Sequence, residues 1–361
     1  MGTSALPALV SLRPVVFIDE QSSAEVDEQI LSFEMTEKEG GLATLELKLS
    51  ETGTVDDGGV PLMFERDNFV KLGALIRLAE FDGTRQVDLF KGQITALELE
   101  FPSGASPTLV VLAEDPFQQA RMARRTKLHE NVSLASLVND VARVCALTPS
   151  VSGLSNNIGT HVQLNESDLA FLRRLLARYD ADVKVDGNDL KAFLRTDSDG
   201  SPIVLRTPDD LERVRIIADL ADQATAVTVT GWDVSQGRAF NVSSRGVSPG
   251  PGRGTKGDGF LSFAIADRSE HVAHIHAMNE TEAQAIADAA FDARARRFVV
   301  ADGTTQIGKP DLRLGKTVTL QGVGSRFEND YHVVLTRHHW DRERGYKTDF
   351  TAESAFYGGQ P

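Results

Sequence analysis

Apolar and polar residues alternate over much of the first 115 positions, and this period of two predicts β-strands. Turn residues separate the later runs at hairpin distances, first at Asp82-Gly83 and then at Pro102-Ser103-Gly104. Six strands with almost no helical pattern favour a closed or nearly closed barrel, because closure leaves few free edges. The predicted strands are Pro14–Ile18, Gln29–Thr36, Ala43–Leu49, Leu72–Phe81, Gln86–Glu98 and Pro107–Leu112.

A helical period begins after Pro116. From Ser133 to Cys145 the apolar residues fall on one helix face, with Ser133 as the N-cap and Thr148-Pro149 as the stop. A second helix is predicted to begin at Asn165, whose side chain would cap it while Asp168 reaches back. A hairpin follows, in which strands Ala181–Val185 and Leu190–Leu194 are joined by an Asp186-Gly187 turn.

The chain after residue 200 combines irregular segments with one helix and further strands. Thr207–Gln223 is predicted to be a polar connection with a turn at Asp209-Asp210-Leu211, and Ala226–Trp232 a strand. Phe240–Phe260 contains eight glycines or prolines and is expected to be a mobile loop. Asn279–Phe298 is predicted to be a helix that Asn279 caps, with Glu282 at the third position.

A second β-rich region lies between Gly308 and Ala352. Its three alternating runs predict half-buried antiparallel strands that form a small barrel. The apolar positions of these runs are Val318 and Leu320, then Tyr331, Val333 and Leu335, then Phe350 and Ala352. Asn329 is a residue that tolerates a left-handed turn conformation, and Arg344-Gly345 is expected to close the last reversal.

Together these patterns predict a mainly β fold with an α+β insert, in which two small β-barrels flank an α/β middle domain. The predicted domains are residues 1–115 for the first barrel and 116–200 for the middle domain. Residues 201–361 are expected to contain a linker and the second barrel, with one helix at about 280–298.

Composition excludes some classes of function. Of the 361 residues, 41% are apolar and 25% are charged, which is ordinary for a soluble globular protein. Cys145 is the single cysteine, so the chain has neither an internal disulfide nor a cysteine-based metal site. The short apolar run Ala5–Leu12 lacks the basic flank of a signal peptide, and no stretch is long enough to insert in a membrane. A net charge of -14 argues against direct recognition of nucleic acid.

Three segments of the sequence resemble a known family. From Gly308 the chain reads Gly-x-Pro-Asp-Leu-x-x-Gly-Lys-x-Val-x-Leu-x-Gly, then Phe-x-x-x-Tyr-x-Val, a His-rich strand and Gly-Tyr-x-Thr-x-Phe. The other segments are Asn165-Glu166-Ser167-Asp168, followed by Phe171 and Leu172, and Gly231-Trp232-Asp233. This order resembles the phage late control D family of baseplate hub proteins, which is similar to the hub half of type VI secretion valine-glycine repeat spike proteins. The residues that carry the resemblance are Asn165, Asp168, Leu172, Gly231, Trp232, Asp233, Gly308, Pro310, Gly315, Gly322, Tyr331, Gly345 and Tyr346.

The resemblance implies a structural protein with no catalytic residues, cofactor or metal. It implies a homotrimeric hub whose six barrels join a sixfold inner tube to a threefold central spike. The implied partners are a separate spike protein, an inner tube protein or tube initiator, and other baseplate proteins. The protein would assemble in the cytoplasm and become part of a phage tail or tail-like particle. The middle domain resembles LysM-type folds, which leaves a peptidoglycan-binding or peptidoglycan-hydrolysing tail protein as the alternative.

Several motifs resemble catalytic or ligand sites. Glu166 and Asp168 are the candidate carboxylate pair for glycan hydrolysis, although their place at a helix start favours capping. His271, His274 and His276 could hold a metal only with a further ligand, so structural roles are favoured. For His338-His339, we expect a barrel surface with one ring on each face.

Two glycine-rich segments also match the sequence patterns of known catalytic or phosphate-binding sites. Residues 246–250 fit G-x-S-x-G, but Pro249 lacks the backbone N–H that would bind an oxyanion. Residues 252–257 fit G-x-G-x-x-G, but the next segment, Phe260–Ile265, is predicted to be a strand, whereas phosphate binding requires a helix. Neither motif is therefore expected to be a site.

Overall fold

A computed structural model describes residues 14–51, 64, 69–82, 85–197 and 200–358. Strands predominate over helices in these ranges, so the prediction of a mainly β fold is confirmed. The run Ala5–Leu12 and the glycine of the predicted Asp82-Gly83 turn lie outside the described residues. The predicted domain limits stay a prediction.

The described residues of the first β unit include seven strands and the short helix α1 (Ala24–Gln29). Alternate side chains of its strands point into a common core, as Leu45, Leu47 and Leu49 show. Its elements are β1 (Val15–Ile18), β2 (Gln21–Ser22), α1 (Ala24–Gln29), β3 (Ile30–Lys38), β4 (Thr44–Ser50), β5 (Leu75–Asp82), β6 (Arg85–Glu100) and β7 (Thr108–Glu114).

The middle unit packs two helices on a three-stranded sheet and carries a two-stranded ribbon. A 3₁₀-helix, Pro116–Arg121, leads into the unit from β7. The elements are β8 (Arg124–Ser133), α2 (Leu134–Val144), β9 (Thr148–Val151), β10 (Asn157–Ser167), α3 (Asp168–Leu176), β11 (Ala181–Asp186) and β12 (Asp189–Leu194). β8 and β10 form the antiparallel ribbon, and the sheet has the order β11-β12-β9, with β9 parallel to β12.

The helix starts in this unit were predicted with mixed success. Ser133 caps α2 as expected, because its hydroxyl accepts the Ser136 N–H at 3.1 Å. The prediction that Asn165 caps the next helix is wrong. Asn165 lies in β10 with φ of 49°, beside a register shift, and the cap is Ser167, whose hydroxyl accepts the Ala170 N–H at 3.2 Å. The irregularity delays the helix by two residues.

The rest of the chain forms the second β unit with one long helix. Asn279 caps this helix as predicted, since it accepts the Glu282 N–H at 2.9 Å. The elements are β13 (Ile203–Arg206), β14 (Leu211–Ala218), β15 (Ala226–Asp233), β16 (Arg238–Ser244), β17 (Thr255–Lys256), α4 (Gly257–Ala264), β18 (Ser269–His271), α5 (Glu280–Arg296), β19 (Val299–Thr305), β20 (Thr317–Gln321), β21 (Asn329–Asp341), β22 (Gly345–Ser354) and β23 (Phe356–Tyr357).

Three predictions for this region are wrong. The polar connection contains β14, an edge strand paired with β19, whose exposed residues include Glu212, Arg213 and Arg215. Phe260–Ile265 is not a strand, because α4 buries Leu261 and leaves Phe263 93% exposed, whereas both would share one face of a strand. The loop predicted over Phe240–Phe260 is wrong at its two ends, which belong to β16, β17 and α4, whereas residues 245–254 between them are irregular.

Asn329 helps to hold the glycine-rich segment in place. Its side-chain oxygen accepts the Arg253 N–H at 2.9 Å, and its amide donates to the Arg253 carbonyl at 2.7 Å. Asn329 is the first residue of β21 and its φ is not positive, so it does not use the left-handed conformation that asparagine tolerates. The side chain is used to fasten a neighbouring segment rather than to reverse the chain.

One sheet of 13 strands joins the two β units. Its order is β14-β19-β22-β21-β3-β4-β7-β6-β5-β1-β2, with β20 on β21 and β13 on β20. The joint is antiparallel pairing of Leu335–Asp341 in β21 with Ser32–Lys38 in β3. Trp340 lies opposite Phe33 there and packs into the core of the first β unit.

This arrangement differs from the expected pair of closed barrels. Within the described residues the hydrogen-bonded path is open, with β14 at one end and β2 at the other. Alternation along a strand shows that one face is buried but does not identify the strand's neighbour. Here β3 pairs with β21 from the far end of the chain, which connects the two units.

None of the helices in the described ranges has both the length and the apolar character needed to cross a membrane.

Candidate functional site

The motif residues near the C-terminus shape the core of the second β unit. Tyr331 is fully buried, and its hydroxyl donates to the Phe327 carbonyl at 2.7 Å. The Gly308 N–H donates to the Tyr346 carbonyl at 2.8 Å, and a Cβ at Gly308 would lie 2.1 Å from the Tyr346 ring. Pro310 is half-buried nearby. These packing and hydrogen-bond contacts account for the glycine and tyrosine residues of the motif, and a bound ligand is not needed to explain them.

Three further motif glycines have backbone conformations that favour glycine. Gly315, Gly322 and Gly345 have φ values of 78°, 76° and 70°. At Gly322 a Cβ would also lie 2.5 Å from the Thr207 carbonyl oxygen. The spacing of glycines in this motif therefore follows from turns and from one close backbone approach.

His338 is buried, so the expectation that His338-His339 lies on a barrel surface is wrong for this residue. Its Nδ1 lies 2.8 Å from the Tyr346 hydroxyl and 3.2 Å from the Thr348 hydroxyl. Burial, with the nearby charge of Arg313, lowers the pKa of His338 to about 3. The ring is neutral at ordinary pH. His339 is partly exposed and lies 3.5 Å from Asp349.

The other two motif segments lie elsewhere. Leu172 is in the core of the middle unit with α2 and the sheet. Gly231 allows the Phe240 ring to approach, since a Cβ there would lie 2.3 Å from it. Trp232 is 57% exposed, and Asp233 accepts backbone N–H groups of Ser235 and Gln236 in the turn after β15. The resemblance therefore identifies three separate parts of the fold and not one convergent site.

Both candidate catalytic carboxylates are held in ion pairs. Glu166 binds both nitrogens of the Arg174 fork, at 2.8 and 3.0 Å. Asp168 contacts Arg125 Nε at 3.0 Å and accepts from Gln163 Nε2 at 2.9 Å. Each carboxylate thus has a structural partner from another part of the middle unit: Arg174 in the last turn of α3 for Glu166, and Arg125 of β8 for Asp168.

The remaining histidine and glycine motifs do not form the metal, nucleophile or phosphate sites whose sequence patterns they match. His271, His274 and His276 are exposed, and the described residues contain no group of three metal-ligating side chains. Ser248 follows no strand-to-helix elbow, and its N–H donates to Asp292. Residues 252–257 do precede a helix, but the Arg253 N–H is already bonded to Asn329.

A buried ionic junction was missed by the sequence analysis. Arg195 lies 3.3 Å from Asp182 and 3.4 Å from Glu39, which follows β3. Arg296, at the end of α5, donates to Asp180 at 2.7 Å and is 2% exposed. This junction brings together groups from both β units and the middle unit. Because the residues lie far apart in sequence, no local pattern marks them.

A second buried pair links the two β units. Arg313 binds the carboxylate of Glu37 in β3, with Nε 2.8 Å from Oε2, and the Leu314 N–H also donates to that oxygen at 3.2 Å. Although burial opposes ionisation, Arg313 lowers the pKa of Glu37 to about 2. The charged pair therefore persists at neutral pH and fixes β3 against the second unit.

This architecture is the fold of known phage tail proteins. A 43 kDa tail protein from prophage MuSo2 of Shewanella oneidensis is 10% identical with a TM-score of 0.68, over 94% of this chain and 98% of that one. A tail protein of Neisseria meningitidis MC58 is 11% identical with a TM-score of 0.68, over 95% and 96%. The E. coli c3393 protein, a component of the type VI secretion system, is 14% identical with a TM-score of 0.56, over 92% and 76%.

The chain belongs to the family of the Alg8 N-terminal domain, whose model matches residues 65–341. A search by sequence finds no match among curated proteins. The family description differs from the late control D family that the motifs resemble, so membership of the latter stays a prediction.

Proposed function

We propose that the chain is a structural subunit of a phage tail or related injection machine, and that it forms the baseplate hub. The observation that carries this proposal is likeness of fold over nearly the whole of this chain and of two phage tail proteins. In the hub, three copies would join a sixfold inner tube to a separate threefold spike. The role is mechanical, and no reaction is proposed.

The continuous sheet supports this geometry. Pairing of β3 with β21 and the Glu37–Arg313 ion pair hold the two β units of one chain in a fixed relation. Three chains would therefore present six β units in pairs. Such an arrangement meets sixfold and threefold neighbours without a second type of subunit.

An apolar patch on the ribbon also supports assembly. Leu128 of β8 and Val162 of β10 are direct partners, and both side chains are about half exposed. Leu164, further along β10, is 69% exposed. Adjacent exposed apolar side chains of this kind favour a contact with another subunit.

The proposal is tested by the mass of the purified protein in solution. We expect a trimer of about 118 kDa, three times the chain mass of 39.2 kDa, either alone or after addition of the spike protein encoded nearby. Light scattering after size separation measures this mass, and an unrelated trimeric β-protein in place of the spike is the control. A chain that stays monomeric with spike and tube proteins, and that cleaves or binds cell wall, would contradict the hub and favour the peptidoglycan alternative.

A further inference from the structure

A cavity of about 850 Å³ lies where the middle unit meets α5. Its walls include residues 153–159 before and within β10, Tyr179 and Asp180 after α3, the end of β12, the turn after β15, Val247 and Ser248, and one face of α5. The volume is within the range of ligand-binding clefts, roughly 300–1,000 Å³. Apart from Asp233, no residue of the family motif lines it.

The charged side chains of the cavity are all acidic. Asp180, Asp233, Glu282, Asp288 and Asp292 line it, and none of the described lining residues is Lys, Arg or His. Two cations behind the walls offset part of this charge: Arg296 binds Asp180 and lies near Asp292, and Arg238 lies near Asp233. Since five carboxylates line the cavity and the lining contains no cation, an excess of negative charge remains that attracts cations.

These carboxylates are held in fixed positions. Asp292 accepts the N–H groups of Val247 and Ser248, at 3.1 and 2.9 Å. Glu282 accepts from the Tyr179 hydroxyl at 3.2 Å and from the Met278 N–H at 2.8 Å. Burial, with the nearby Asp180 charge, raises the pKa of Asp292, as expected for a carboxyl in a negative environment.

Apolar side chains accompany the charges. Val247 and Met278 line the cavity and are 76% and 46% exposed, so each leaves apolar surface in contact with water. Gly159, with φ of 84°, allows Met278 to lie against β10, because a Cβ there would be only 2.0 Å from the Met278 methyl carbon. The cavity therefore offers apolar surface beside fixed negative charge.

We propose that this cavity binds an extended segment of another protein in which lysine or arginine alternates with apolar side chains. The cations of such a segment would face the carboxylates, while its apolar side chains would cover Val247 and Met278. Charge complementarity selects this occupant over acidic or purely apolar segments. The inference goes beyond the hub role and does not depend on it.

The test uses the full chain and a fluorescent peptide of alternating lysine and leucine, with a glutamate–leucine peptide of equal length. We expect fluorescence anisotropy to show at least about tenfold tighter binding of the lysine peptide, weakened by salt.

Ala285→Arg with Ala289→Arg, which places two cations in the cavity wall, should weaken that binding about tenfold or more. Ala105→Arg with Gln86→Arg makes the same change of net charge on the first β unit and should change it less than about twofold.

Each outcome decides the inference. A carbodiimide cross-link from peptide lysine to Glu282 or Asp288, found by mass spectrometry, would support it. Equal binding of both peptides would overturn it, as would equal losses in the two double variants, which indicate attraction to net charge alone. A change in the chain's own oligomeric mass on Ala285→Arg with Ala289→Arg would overturn the assignment to another protein and make a second copy the occupant. Circular dichroism checks that the variants fold.

Discussion

At the scale of single residues, Asp115 is an uncommon buried carboxyl group. It precedes the 3₁₀-helix Pro116–Arg121 and accepts the N–H groups of Ala43 at 2.6 Å and Phe117 at 2.9 Å. Burial raises the pKa of Asp115 to about 7, although those hydrogen bonds oppose the shift. The native state therefore holds a proton that the unfolded chain releases near pH 3.8.

This predicts an unusual dependence of stability on pH. Because the native pKa exceeds the unfolded one, the Asp115 contribution is full below about pH 3.8 and is lost as pH rises towards 7. Asparagine does not ionise, so Asp115→Asn should remove that loss. Between pH 4 and 7 the free energy of unfolding of the variant should rise relative to that of the wild type by up to about 3 kcal/mol. Urea unfolding at several pH values measures the difference. Asp140→Asn, an exposed site on α2, is the control, and a parallel pH profile for Asp115→Asn would contradict the assignment.

Residues whose role is local could be predicted from sequence. Ser133 and Asn279 were identified as caps because a cap depends on neighbours three positions away. His338 could not be placed, since its burial and low pKa depend on Arg313, Tyr346 and Thr348 in the folded chain. Motif spacing singled out Gly308 and Tyr331 but did not reveal what they contact.

At the scale of elements, the ionic junction is best tested at Arg296, the last residue of α5. Removing one partner of a buried ion pair costs about 3–5 kcal/mol. Arg195 lies 3.9 Å from Asp180 and remains when Arg296 is removed, which keeps the cost towards the lower end of that range. Arg296→Met should therefore lower the free energy of unfolding by about that amount, whereas Arg297→Met, at the exposed next position, should change it by less than about 0.5 kcal/mol. Urea denaturation measures both.

A double variant separates the ion pair from packing. Asp180→Asn removes the partner charge and suits the φ of 51° at that position, since asparagine tolerates it. If the pair is the cause, Arg296→Met with Asp180→Asn should be less destabilised than the sum of the single variants. Additive losses would show that Arg296 acts by packing alone.

The elements that the sequence misassigned share one physical cause. β14 is an edge strand with charged residues at exposed positions, so its sequence does not show a clear alternation of apolar and polar residues. α4 is short, and its Phe263 is exposed, so composition favoured a strand. By contrast, α2 and β4 bury one regular face, and periodicity located both. Local pattern therefore works where an element packs on a core and fails where it lies at the surface.

At the scale of the whole molecule, the shared sheet predicts joint unfolding of the two β units. Trp340 belongs to β21 of the second unit but packs in the core of the first, while Trp232 is exposed. In a Trp232→Phe variant, the fluorescence of Trp340 should change at the same urea concentration as the far-ultraviolet circular dichroism. Ala355→Gly, a small change in another cluster, is a control that should shift both curves together. A separate, earlier fluorescence transition would show that the units unfold independently.

The mainly β class could be predicted from sequence, because it depends on local periodicity. The pairing of β3 with β21 could not, because almost 300 residues separate them and alternation does not specify a neighbour. The ionic junction was missed for the same reason, since Glu39, Arg195 and Arg296 meet only in the folded chain.

The β3–β21 joint also determines how the molecule resists force. Its paired segments, Ser32–Lys38 and Leu335–Asp341, run antiparallel, with backbone hydrogen bonds perpendicular to the strands. A force along the strands loads all of these hydrogen bonds together in shear. A force perpendicular to the strands, applied at one end of the joint, breaks the hydrogen bonds one after another. The same joint is therefore strong in one direction and weak in the other, so the direction of tension decides whether the two β units stay together.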